Sequence, residues 1–170
     1  MDAIEEAFNQ ADSYDVILAL ADVVRQTAVA HQLSFTDLKQ GQRIALLLEM
    51  FGVEMGDGGF HKLLTEPAGD YLPQILQTCE IIGAVQTAPI LARATALFPK
   101  MHILINTEAR QNWIESAGPD MKATLQALDT DYFAQAEQIF ALGVAFLQNS
   151  KDDFRVAYRK QTEPEGEEGE

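Results

Sequence analysis

The side chains best suited to chemistry are few in this 170-residue chain, and they are scattered. His31, His61 and His102 lie far apart, and none belongs to the HExxH pattern, whose i,i+4 spacing puts two imidazoles on one helix face for zinc. Each is expected at or near the surface. A single cysteine, Cys79, excludes an intrachain disulfide and a structural zinc site built on cysteine. It falls on the apolar face of a predicted helix and is expected in the core. No Ser-His-Asp or Cys-His-Asn signature is present. Asp129-Thr130-Asp131 opens like a calcium loop, but the required Gly and terminal Glu do not follow, so helix capping is the expected role. Gly56-Asp57-Gly58-Gly59 has the look of a phosphate cradle, yet it lacks the Lys-Ser/Thr pair and no strand clearly precedes it. It reads as a turn between two helices that lets Phe60 enter the core, with Asp57 capping the short helix that follows. The sequence therefore nominates no catalytic residue, no cofactor and no metal, and the chain is read as a non-enzyme.

Carboxylates are the abundant functional group. Twenty-six acids against 12 Lys and Arg give a net charge of −14. That charge argues against direct binding to nucleic acid or to an anionic membrane, since both are polyanions. It favours a basic partner, or solubility alone. The first 22 residues hold Asp2, Glu5, Glu6, Asp12, Asp15 and Asp22 with no base among them, and residues 161–170 hold five glutamates. Acids one helical turn apart repel by a few tenths of a kcal/mol per pair, partly offset where they sit in a first turn beside the helix dipole. Arg25, three residues after Asp22, is a candidate partner for it. Side chains at i and i+4 lie about 5–6 Å apart, and B-DNA carries one phosphate per about 3.4 Å of rise on each strand. Successive turns of an acidic helix thus resemble a row of phosphates, and Glu5, Glu6, Asp12, Asp15 and Asp22 are the candidate partner-binding surface.

The elements that must position these groups are helices. Ala, Leu, Gln and Glu are plentiful, and alternating strand patterns are nearly absent; Met101–Ile105 is the one short candidate strand, and it is discounted. Asp2 caps a helix to about Ala11, and Ser13 caps a second to about Gln32. Thr36 caps a third that turns Ile44, Leu47, Leu48 and Phe51 inward and stops at Gly52 or Met55. A short helix covers Phe60–Glu66, and Asp70 caps the next, with Leu72, Ile75, Leu76, Cys79 and Ile82 on one face. Thr87 caps a helix that Pro99 closes. Thr107–Ala117 and about Asp120–Leu128 follow. Asp129 or Thr130 starts a last long helix to Gln148, whose stripe includes Phe133 and Phe140. A further short helix spans Asp152–Arg159. The expected fold is all-α: a compact single-domain bundle of about eight to ten helices with short connectors. Residues 1–160 form the acidic domain and 161–170 a disordered acidic tail. A start without a basic region and apolar run, the lack of a membrane-length apolar stretch, and the single cysteine all suit the cytoplasm.

Several short blocks then carry a family likeness. Gly58-Gly59-Phe60, Gly69-Asp70-Tyr71, Ile82-Gly83-Ala84, Leu97-Phe98-Pro99 and Leu128-Asp129-Thr130-Asp131-Tyr132-Phe133 together resemble a bacterial domain-of-unknown-function family that includes a DNA-mimic protein. The likeness runs over roughly residues 33–147. Asp57 stands where that family usually has Asn, Lys62 where Gln is common, and Leu63-Leu64 where two aromatics are common. The resemblance implies an all-helical fold and, for the best-studied member, occupation of a transcription factor in place of operator DNA. It also makes Asp57, Gly58, Gly59, Phe60, Gly69, Asp70 and Tyr71 motif residues with structural roles: the glycines for a turn, Asp70 for a cap, Tyr71 for packing. The acids of residues 1–22 lie outside the motif.

The sequence thus reads as an acidic protein-binding module, monomeric or homodimeric, whose partner is a basic DNA-binding protein such as a transcription factor or nucleoid protein. Two alternatives stand beside it. One is an immunity protein neutralising a basic toxin. The other is a small-ligand protein with a pocket near Phe60, His61 and Tyr71.

Overall fold

A computed structural model of the chain describes residues 2–158, so the segment 161–170 lies outside the described residues. Within them the chain forms nine α-helices and no strand: α1 (Ala3–Phe8), α2 (Ser13–His31), α3 (Gln40–Thr65), α4 (Leu72–Ile82), α5 (Thr87–Thr95), α6 (Met101–Leu104), α7 (Thr107–Ala117), α8 (Pro119–Ala134) and α9 (Ile139–Gln148). The expected all-α class and helix number hold. Among the described residues no helix is long and apolar enough to cross a membrane.

Helix starts follow from short polar side chains that satisfy the first free backbone N–H groups. Asp2 accepts from the Glu5 N–H at 2.8 Å and opens α1, which ends at Phe8 rather than Ala11. Asp12, not Ser13, opens α2, accepting from the Tyr14 N–H at 2.7 Å; the ionised acceptor makes the stronger bond. Thr36 does not start the third helix. A 3-10 turn, Phe35–Asp37, is closed by the Ser34 N–H donating to Asp37, and α3 begins after it.

α3 is the axis of the fold and touches α2, α4, α7, α8 and α9. Ile44, Leu47, Leu48, Phe51 and Met55 are buried along it, facing Ile17, Leu20 and Val24 of the core. Gly52 does not end the helix. A Cβ there would lie 2.5 Å from Tyr14 and 2.9 Å from Phe140, whose rings meet with centroids 4.7 Å apart. The missing side chain makes room for rings from α2 and α9.

The boundary between α8 and α9 differs from the sequence expectation, and the cap of α5 comes from far along the chain. α8 runs through Asp129 to Ala134, and the break falls at residues 135–138. There Glu137 accepts from the Gln86 and Thr87 N–H groups and from the Thr87 hydroxyl at 2.6–3.0 Å. Glu137, not Thr87, therefore caps α5. Phe133, placed in the core stripe by its spacing, is 62% exposed at the end of α8. Met101–Leu104 is helical, and the last short helix is instead a 3-10 turn, Lys151–Arg155. That turn straps the amino terminus to the bundle: Phe154 is buried against Phe8, Asp153 accepts from the Gly41 N–H at 2.7 Å, and the Tyr158 hydroxyl donates to the buried Gln42.

Candidate functional site

The motif residues assemble into two junctions of the frame. The first is the bend inside α3. Gly59 has φ +65°, ψ −153°, a conformation only glycine adopts readily, and any Cβ there would fall on the Asp129 carboxylate. The bend frees the N–H of Phe60, which donates to Asp129 at 2.7 Å. Asp129, not Asp57, is thus the cap of the segment Phe60 opens. Phe60 is fully buried, and Tyr132 stands edge-on to both Phe51 and Phe60, at 5.4 and 6.3 Å between centroids. Asp129 and Asp131 are both engaged, the second with Arg93, so the calcium-like triplet serves helix ends and an ion pair.

The second junction is built on Arg110, whose guanidinium is completely buried. It donates to the carbonyls of Leu64, Glu66 and Leu104 and to Asp70 at 2.6–2.9 Å. Asp70 does not cap α4: its carboxylate holds Arg110 and accepts from the Thr107 hydroxyl at 2.9 Å. Gly69 is required by closeness, since a Cβ would meet the Leu63 carbonyl at 2.6 Å and Arg110 at 2.7 Å. Tyr71 packs as expected, its ring 5.1 Å from Phe35. Gly58 approaches Lys62, and Asp57 lies exposed beside it.

The five nominated acids lie on α1, on α2 and at the cap of α2, but they are not equivalent. Glu5 is held by Arg155 at 2.5 Å and Lys151 at 3.4 Å, and Arg155 also reaches Asp2 at 3.6 Å. These bases neutralise Glu5, which therefore leaves the free acidic surface. Glu6, Asp12, Asp15 and Asp22 are exposed and make no ion pair with a described residue. Asp22 accepts from Gln26 at 2.7 Å, because Arg25 turns instead to Glu49 on α3.

The packing of α2 on α3 adds carboxylates that no local pattern in the first 22 residues announces. Burial and the nearby charges of Glu49 and Asp57 push the Tyr14 hydroxyl above its ordinary range. The Glu54 carboxyl is raised by burial and by the charges of Glu66 and Asp57, against the pull of Lys62. Glu54 and Asp57 stand one turn apart on α3, whereas Glu49 lies five residues before Glu54 and on another face, so no simple helical spacing announces the three together. Of these three only Asp57 is exposed, so it alone joins the exposed acids of α2, while Glu49 is held by Arg25.

On another side, α7 and α8 diverge over the end of α3. They leave a cleft of about 740 Å³ lined by His61, Thr65, Gln111, Glu115, Lys122 and Gln126, among others. His61, one of the three residues near which a pocket was expected, lines it, whereas Phe60 and Tyr71 do not.

Neither a curated protein nor a solved structure matches the chain. A family model described as DMP19-like protein matches residues 36–150. That span contains Gly59 with its partner Asp129 and Gly69-Asp70 with their partner Arg110, and it begins after all five nominated acids. By the match over two-thirds of its length, the chain belongs to the DMP19-like protein family.

Proposed function

We propose that this protein is a DNA mimic without enzymatic activity, which occupies the DNA-binding surface of a basic transcription factor or nucleoid protein. The observation that carries the reading is the set of exposed carboxylates Glu6, Asp12, Asp15 and Asp22, which make no ion pair with a described residue. Asp15 and Asp22 are two helical turns apart, about 10 Å along the axis at 1.5 Å per residue. Three steps of one B-DNA strand cover about the same distance. Family membership supports the reading, since the family includes a DNA mimic. Electrostatic complementarity supplies the mechanism: fixed carboxylates on a rigid helix attract the lysines and arginines that otherwise contact phosphates.

The test is affinity capture from the source cell, elution with a salt gradient, and competition of the captured protein with duplex DNA. Expected are elution at moderate salt, displacement by duplex, and clear weakening by D15N/D22N. E5Q, which changes a carboxylate already held by Arg155 and Lys151, should weaken binding far less. Binding that ignores salt and duplex DNA would overturn the proposal.

A further inference from the structure

The groove between α3 and α4 holds a base with no partner among the described residues. Of the five arginines among the described residues, Arg25, Arg93, Arg110 and Arg155 each hold a carboxylate. Arg43 holds none, in a chain where acids outnumber bases by 26 to 12. Its side chain also makes no hydrogen bond with a described residue. Lys39, Lys100 and Lys122 are unpaired too, but they are exposed, whereas Arg43 is half-buried. With its stem packed and its fork unpaired, the Arg43 guanidinium is available to an acceptor that enters the space beside it.

That space is a pocket of about 150 Å³, room for about five waters or one small organic ion. Thr78 lines it from α4, is 2% exposed, and its hydroxyl makes no hydrogen bond with a described residue. The exposed Gln74 and Gln77 also line it, and Ile44 and Leu47 contribute apolar lining. Arg43 sits in the first turn of α3, which carries no acid of its own, so the helix dipole adds to its positive field.

We propose that this pocket binds a small carboxylate with a compact apolar body. The planar fork of Arg43 matches a carboxylate in two parallel hydrogen bonds. Thr78 supplies a hydroxyl donor, and the apolar body rests on Ile44 and Leu47. A bare phosphate would leave that apolar lining uncovered.

The probe is benzoate, titrated at millimolar concentration into the full chain and followed by backbone and arginine side-chain NMR. Shifts confined to residues around Arg43, Gln74 and Thr78 are expected, with no response to neutral benzamide. R43Q should weaken binding at least about tenfold, the loss of a charge-assisted pair. T78V, close to isosteric, should weaken it several-fold with the thermal midpoint kept. The proposal fails if benzoate causes no local shifts, if benzamide binds equally, if R43Q binds as well as the parent, or if inorganic phosphate binds more tightly than benzoate.

Discussion

Replacing Asp129 by Ala isolates the bend in α3. The carboxylate accepts from the N–H of Phe60, a residue with no exposed surface, at 2.7 Å. Losing a helix cap costs about 1 kcal/mol, and leaving a buried N–H without an acceptor costs about 1–3 kcal/mol. These describe the same bond from two sides, so about 2 kcal/mol is the expected total. For a chain of this length that lowers the thermal midpoint by about 4–8 °C. D129N keeps an amide oxygen in the same place and should recover more than half of the loss. D57A removes an exposed carboxylate that caps nothing and should stay within about 0.5 kcal/mol of the parent. Urea unfolding of the three variants, with equal slopes, provides the measurement. A D129A within 0.5 kcal/mol of the parent, or a D57A costing more than D129A, would refute the assignment of the cap.

Other perturbations read other parts of the frame. R110M strips Asp70 and three backbone carbonyls of their donor and should cost at least about 3 kcal/mol in urea unfolding; a cost under 1 kcal/mol would mean that water replaces the guanidinium. Burial pushes the Cys79 thiol up to about 12, so a thiol reagent should label it at neutral pH only when urea opens the bundle. Label uptake by the native protein would contradict its burial. Tyr132 is likewise raised to about 12, first by desolvation and then by nearby negative charge, against an unfolded value of about 10. The unfolded state loses that proton first, so the tyrosine's contribution is whole below pH 10 and declines as pH rises toward 12. Y132F should show a shallower fall in the urea midpoint over that interval, and identical slopes would refute it.

The parts of this fold legible in the sequence are those whose cause is local. Asp2 caps α1 three residues away, the periodic apolar residues of α2, α3 and α4 are the ones buried, and Thr107–Ala117 is helical as its pattern predicts. Several of the errors share one origin. Asp129 serves Phe60 across 69 residues, Glu137 serves Thr87 across 50, Asp153 serves Gly41 across 112, and Arg155 holds Glu5 across 150. An acid beside a helix start in sequence is the natural cap to assign, and only the packing of distant helices brings a better-placed one. The same distance hid the neutralisation of Glu5 and the arrival of Glu49 and Asp57 beside Tyr14.

Frame and surface are separable in this protein, and that separation is itself testable. The junctions at Gly59 and Arg110 lie within the family span and meet buried groups. Asp15 and Asp22 lie before it, exposed on α2, where no base among the described residues holds them. Their removal gives up only the dipole term of Asp15, about 0.3–1 kcal/mol, and the Gln26 contact of Asp22. D15N/D22N should therefore keep the fold, shifting the thermal midpoint by less than about 4 °C, while losing affinity for a captured partner. D129A should do the reverse: it lowers the midpoint yet binds with unchanged affinity at temperatures where it stays folded. If both variants lost affinity in proportion to lost stability, the carboxylates would be acting through the fold and the surface reading would fall. If affinity followed Asp15 and Asp22 alone, the family frame would be a carrier whose partner is set by acids outside it, and membership in the family would fix the scaffold without fixing the target.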